Sequence, residues 1–308
     1  MYLWCSGLVS DEVVEAYRRA GEAAKAAINR AFEIVRAGVS IKDVCDDLER
    51  KIVEFGCKPA FPCNICINEV AAHYTADENT RTIIPDNCIV KVDVGAHYDG
   101  YIADAAVTIN LSSEHEDLIK SVREAIDNVS NDIEVGVSVM KISTIIEKTI
   151  KSYGFKPIKN LCGHQMDRYK LHTGFAIPNV KQVKDVFTKL YPGYAYAIEP
   201  FATIDSGKGE VNGVRGGNIF KLVSPRPPKM GAARSLFLAI QRRFNYLPFT
   251  RRWLSDFRDN PSYSKAFYQL LDRGYITEYP YMVEGNGKPV AQWEHTFLIL
   301  EKEVVRVT

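Results

Sequence analysis

At 308 residues and 46% hydrophobic content, the chain can bury one large core or two modest ones. Its formal net charge of +1 gives no overall field for nucleic acid or anionic lipid, and no apolar run reaches the roughly 18 residues of a membrane span. The first residues, Met1-Tyr-Leu-Trp-Cys-Ser-Gly7, lack a basic segment and a long apolar stretch, and seven cysteines without framework spacing suit a reducing compartment, so a cytoplasmic monomer is expected.

In chain order, the first signal is a repeat. Residues 37–60 align without a gap on 135–158, with eight of 24 positions identical at an offset of 98. Each copy has a serine N-cap (Ser40, Ser138) and apolar residues at helical spacing (Val44, Leu48, Ile52; Ile142, Ile146, Ile150). Each ends on a glycine (Gly56, Gly154) before Lys-Pro. A further helix precedes each copy, roughly 11–36 and 114–134. A period this long, occurring twice, does not make a solenoid; it predicts two similar α+β halves around a shared sheet, with a site between them. Cys63-Asn-Ile-Cys66 is the only CxxC, and without a second pair it reads as buried free thiols rather than a zinc or redox site.

Ile89–Val94 and Tyr101–Ile109 are rich in β-branched and aromatic residues and flank a turn signal at His97-Tyr-Asp-Gly100, which predicts a hairpin. A loop over 97–100 makes Asp93 and Asp104 direct cross-strand partners. A turn centred on Asp99-Gly100 instead sets Asp104 opposite Gly95, with Asp93 its diagonal neighbour on the same face. Either register brings two carboxylates together among apolar neighbours, where a cation would relieve their repulsion. A protonated or turn aspartate is the bland explanation for such a pair, and Asp99, in Asp-Gly, fits it.

His164 follows Cys162-Gly163 in a loop-like stretch, with His172 eight residues on. Glu199 ends the strand-like run from Tyr194, stopped by Pro200, and Glu294 lies in Gln292–Leu300, which reads as a buried C-terminal strand. An acidic residue inside an apolar strand is costly unless paired, and two such strands strengthen the case for bound metal. Between these motifs, Ser224-Pro-Arg-Pro-Pro228 marks a linker, and helical patterns near 231–245, 250–258 and 262–273 predict an inserted subdomain. Residues 221–258 carry nine Lys or Arg and one acidic residue, Asp256. A solvated helix face is the plain reading of that charge, and contact with RNA or a ribosomal surface the sharper one.

Phe61-Pro62, Ala71-Ala-His-Tyr-Thr75, the Asp93/Asp104 hairpin, Gly163-His164 with His172, Ala197-Ile-Glu199 before Gly207-Lys-Gly209, and Gln292-Trp-Glu-His-Thr296 together resemble methionine aminopeptidase, specifically type II. The likeness covers nearly the whole chain. Type II is indicated by the helical insert, and the start of the chain near the catalytic domain, without a long charged extension, suggests the archaeal form.

The resemblance implies the α+β pita-bread fold, with 1–220 plus 280–308 as catalytic domain and 221–279 as insert. It implies a site in which Asp93 chelates one metal ion, Asp104 and Glu294 bridge two, and His164 and Glu199 complete the second. His73 and His172 match substrate-contacting histidines, and Phe61 and Tyr279 match the methionine pocket. Such an oxygen-rich donor set suits two divalent ions of Mn, Fe, Co or Zn. The expected chemistry is attack by an activated water on the first peptide bond of Met-initiated peptides and nascent chains with a small second residue, with Glu199 shuttling the proton. His97, His115 and His295 are expected to be structural. A prolidase or aminopeptidase P normally carries a sizeable N-terminal domain, whereas the 92 residues before Asp93 are taken up by the first half of the repeat. A non-catalytic binding protein of this fold would lose metal ligands, and all five are present.

Overall fold

Both copies of the repeat fold alike in the structure, a computed structural model that describes residues 9–308. The reading of Met1–Gly7 lies outside the described residues. Helices α1 (Asp11–Ile34) and α2 (Ile41–Glu54) are matched by α3 (Glu116–Asp132) and α4 (Val139–Ser152). The offset of 98 survives in three dimensions: α2 and α4 are each 14 residues long and begin 98 positions apart. Ser40 and Ser138 accept hydrogen bonds from the amides of Asp43 and Lys141 at 3.4 and 3.2 Å, satisfying amides that the helix leaves free. Gly56 and Gly154, at φ 72° and 81°, provide the left-handed step that ends each helix.

Each half contributes a sheet. In the first, β1 (Asn64–Ile67) and β3 (Tyr101–Asn110) flank β2 (Ile89–Tyr98), all antiparallel. In the second, β4 (Cys162–Met166) and β6 (His295–Ile299) flank β5 (Ala195–Ile198), again antiparallel. Threonine hydroxyls stitch the two sheets together along β3. Thr296 Oγ1 accepts from the Asp104 amide and donates to the Asp104 carbonyl, both at 2.8 Å. Thr108 Oγ1 makes the same pair with the Gln292 backbone, also at 2.8 Å each way. Between them the Glu294 amide donates to the Ala106 carbonyl at 2.9 Å. The expected shared antiparallel sheet is therefore two sheets joined at a seam, and the seam carries Asp104 and Glu294. Helix α1 lies against β2 and β3 through buried Ala16, Ala20, Ala23, Ala24, Ala27 and Ala31, whose short side chains permit a close approach.

Residues 220–278 are closed at their base by an antiparallel ribbon, Phe220–Leu222 with Ile276–Glu278. They contain α5 (Ala232–Phe244), α6 (Tyr263–Asp272) and a core of Leu236, Phe237, Ile240, Phe249, Phe267 and Leu270. The helix expected near 250–258 is instead a 3-10 segment, Arg251–Phe257, broken at Leu254 (φ −110°, ψ 25°). Two of the insert's basic residues turn inward, Arg252 fully and Arg251 in part, whereas Arg226, Lys229, Arg234, Arg242, Arg243 and Arg258 are exposed. Arg252 is buried against Glu49 and Asp46, Arg251 and Arg258 flank Glu78, and Arg243 pairs with Asp256. The solvated-face reading therefore holds for most of this charge and fails for Arg251 and Arg252, which turn inward onto Glu78, Glu49 and Asp46. No helix among the described residues is long and apolar enough to cross a membrane.

Candidate metal centre and substrate pocket

The turn of the hairpin sets the position of the first two carboxylates. Asp99 and Gly100 have φ 50° and 88°, the mirror-image turn whose twist suits a two-residue hairpin. The register that follows pairs Gly95 with Asp104 and Asp93 with Ala106. The diagonal arrangement holds, and the direct Asp93–Asp104 pairing of a 97–100 loop is excluded. Asp99 is a turn residue, tied to Arg168 by an ion pair.

His164 lies within β4, not in a loop, because antiparallel pairing with Ala176–Pro178 on one side and β5 on the other extends the Cys162–Met166 backbone. Glu199 stands just past the end of β5. Glu294 falls in a break between the Val290–Gln292 strand and β6, where an isolated bridge to Ala106 holds it. The uniform strand expected over 292–300 is interrupted there because Glu294 bonds across the seam while His295 pairs with Ile198.

All nine residues singled out from the sequence line one pocket: Phe61, His73, Asp93, Asp104, His164, His172, Glu199, Tyr279 and Glu294. His164 Nε2 is 3.6 Å from Asp104 Oδ2 and 3.8 Å from Glu199 Oε1. Ligand atoms of Asp104, His164 and Glu294 all lie within 4.8 Å of one another. Burial pushes Asp93 up to about 7. Burial, then repulsion from Glu294 and Asp93, raises Asp104 well above the usual carboxylate range, and Glu199 and Glu294 are raised in the same way. Burial holds His164 down to about 4, so its imidazole is neutral with a free lone pair. Buried oxygens of Asp93, Asp104 and Glu294 meet no hydrogen-bond donor. Carboxylates this close and this short of donors fit divalent cations, which would supply the missing positive charge.

Opposite the carboxylates stand two histidines. His172 packs edge-on to His164 with ring centroids 4.3 Å apart, and His73 packs edge-on to Tyr279 at 5.5 Å. His73 has φ 64°, a backbone conformation uncommon outside glycine, so its position is imposed by its surroundings. The Thr75 amide bonds the Gly217 carbonyl at 3.1 Å, and a Cβ on Gly217 would come within 2.5 Å of the His73 carbonyl oxygen. Outside the site, His97 accepts from the Gly100 amide, His115 stands at the first position before α3 without a side-chain capping bond, and His295 faces Thr308. Cys63 and Cys66 are buried free thiols, and burial pushes Cys66 up to about 12, which leaves it unreactive.

Several pocket residues were not singled out from the sequence. Leu171, Ile219 and Pro248 add apolar walls, and Gln292 Nε2 reaches both Glu199 (3.4 Å) and Glu294 (3.2 Å). Period-two alternation, which sets Gln292 on the side of Glu294, was the available signal for the last. Gly95 is another. A Cβ there would come within 2.2 Å of the Phe61 ring, so the ring packs tightly against the residue opposite Asp104. Gly95→Ala is expected to displace Phe61 and lower kcat/KM for Met peptides about tenfold to a hundredfold, the equivalent of an overpacking penalty of about 1–3 kcal/mol. Steady-state kinetics checks this, and unchanged kcat/KM would show that the ring does not shape the pocket.

Residues 15–223 match the sequence model of Metallopeptidase family M24. The methionine aminopeptidase of Thermococcus onnurineus is 42% identical over 294 residues, covering 96% of this chain and 98% of its own. Among solved structures, a thermophilic Arx1 superposes with a TM-score of 0.81 at 18% identity over 97% of this chain and 91% of its own. The methionine aminopeptidase of Thermotoga maritima gives 0.69 at 22% identity over 98% of each chain. Fold likeness at this identity extends to proteins of different names, whereas the full-length sequence match does not depend on fold alone. The chain belongs to metallopeptidase family M24 and, within it, to the methionine aminopeptidases, which share the pita-bread fold.

Proposed function

We propose that the chain removes the N-terminal methionine from peptides and nascent proteins with a small second residue, and that Asp93, Asp104, His164, Glu199 and Glu294 hold two divalent ions for the reaction. The observation that carries this reading is the convergence of four carboxylates, three of them with a buried oxygen that meets no donor, and a neutral imidazole on a pocket also walled by Phe61 and Tyr279. Bound there, the ions would supply Lewis acidity to the scissile carbonyl and acidify the attacking water near neutral pH.

The protein groups do the rest. Glu199, pushed up by burial and by repulsion from Asp104, is suited to take the proton of the attacking water and deliver it to the leaving amine. Gln292 orients that carboxylate from behind. His73 and His172, pushed down by burial, are neutral donors aimed at the carbonyl oxygen of the substrate, where negative charge develops. Phe61, Leu171, Ile219, Pro248 and Tyr279 form the apolar side that receives the methionine side chain. Such a pocket distinguishes side chains by only about 1–3 kcal/mol per methylene, so norleucine is expected to be accepted as well.

The test is methionine release from Met-Ala-Ser by metal-stripped protein titrated with Mn(II), Co(II) or Fe(II), with calorimetry to count bound ions and an Ala-Pro peptide as control. Metal-dependent release with two ions bound, lost in His164→Ala, is the expected result. Cleavage of the Ala-Pro peptide alone would move the chain to Pro-directed peptidases.

A further inference from the structure

The carboxylate-lined pocket is small, with a cavity volume of about 50 Å³, so the remainder of any longer substrate chain lies outside it. A much larger groove of about 720 Å³ opens beside it and shares Leu171, His172 and Tyr279 with the pocket wall. A second cavity nearby, between α2 and the insert, shares only Pro248, so the groove is the wider continuation of the site. His172 and Tyr279 stand at the junction, on the side where the reacting carbonyl would be contacted.

The groove has a definite charge. Arg168, Lys170 and Lys221 line it, and no aspartate or glutamate does. Asp99 neutralises Arg168. Lys170 and Lys221 make no ion pair among the described residues, and Lys221 Nζ lies 4.8 Å from the Tyr279 ring centroid, directly at the junction. Exposed Val223 and Tyr246 give the groove apolar surface on which a peptide backbone can lie.

We propose that this groove docks the substrate chain beyond its second residue and prefers acidic side chains there, through Lys170 and Lys221. The proposal rests on the methionine aminopeptidase reading, and it commits to the substrate itself as occupant because the groove is continuous with the site and cationic. Each acidic residue brought near an unpaired, partly exposed lysine is expected to improve kcat/KM about two- to fivefold at low ionic strength. Screening should shrink the effect in high salt.

The experiment compares Met-Ala-Ser peptides extended by Asp-Asp, Ser-Ser or Lys-Lys, at low salt and in about 0.5 M salt. The expected order of kcat/KM is acidic, neutral, basic, with the spread collapsing in salt. Lys170→Glu and Lys170→Glu/Lys221→Glu should invert the order. The readout is the ratio between peptides within each variant, so a general change in activity cancels, and exposed Lys170→Glu keeps the test alive if the double variant folds poorly. Equal cleavage of all three peptides, or an acidic preference that persists in the variants, overturns the groove alone. Failure to cleave even the Ser-Ser peptide overturns the methionine aminopeptidase reading and this proposal with it.

Discussion

Stripped of metal, the protein is expected to melt at steadily lower temperature as pH rises from about 6.5 to 8, and Asp104→Asn is expected to raise the melting temperature of the stripped protein while abolishing peptide cleavage. Asp93, Asp104, Glu199 and Glu294 all have pKa values raised in the fold by burial, so the folded state binds more protons than the unfolded chain. Their stabilising contribution is complete below the unfolded values and is lost as pH climbs through the folded ones, about 7 for Asp93 and well above the usual carboxylate range for the others. Buried histidines oppose this trend on the acid side. His97 and His164 are pushed down to about 4 by burial, so stability falls as pH drops below their ordinary 6.5. Lys91, held down to about 8 by burial, begins to act in the other direction above that value. Between these limits the carboxylates dominate. Divalent metal should reverse the slope, because it binds the ionised form and stabilises the fold by mass action. Scanning fluorimetry of stripped protein at several pH values decides the matter; a flat or rising profile across the window would show that the fold does not raise the pKa values of these carboxylates.

Much of this site was legible because its parts sit on regular elements. The repeat predicted two halves and the helices ended at the predicted glycines, since capping and amphipathic spacing are local signals. The hairpin was foreseen, but its register depended on whether the turn held two residues or four, and only the positive φ values of Asp99 and Gly100 decide that. His164 looked like loop because Cys162-Gly163-His164 has no alternation. It becomes strand through pairing with Ala176–Pro178 and β5, contacts that leave no trace in the immediate sequence. Glu294 looked like ordinary strand, and its break exists because two half-sheets meet there. The inward arginines were the least legible, since the acidic residues that receive them lie far away in the chain: Glu49 is 203 positions from Arg252.

That last contact carries the other large expected effect. Arg252→Ala is expected to destabilise the protein by about 3–5 kcal/mol, because it leaves the Glu49 carboxylate buried without its cation. Arg252 donates to Glu49 at 2.7 and 2.9 Å, to Asp46 at 2.6 Å and to the Ala76 carbonyl at 2.8 Å. Glu49 also accepts from the Cys63 amide at 3.0 Å and from Trp253 Nε1 at 2.7 Å. The pair therefore joins the insert to the segments just beyond Phe61 and His73, and Thr75 Oγ1 closes the same loop by donating to the Cys63 carbonyl at 2.7 Å. A hydrophobic double replacement, Arg252→Met with Glu49→Leu, should recover only part of the loss. It removes the charge problem but strands the Cys63 amide and the Trp253 N–H, at about 1–3 kcal/mol for each unsatisfied group. Glu49→Gln keeps an acceptor for those donors and should fall between. Denaturant unfolding of the four proteins orders them, and kinetics on Met-Ala-Ser should show KM rising more than kcat falls, since Phe61 and His73 are displaced while the carboxylates on the hairpin are not. Full recovery by the double replacement would mean that the network's worth lies in charge pairing alone, and that the insert does not position the pocket wall.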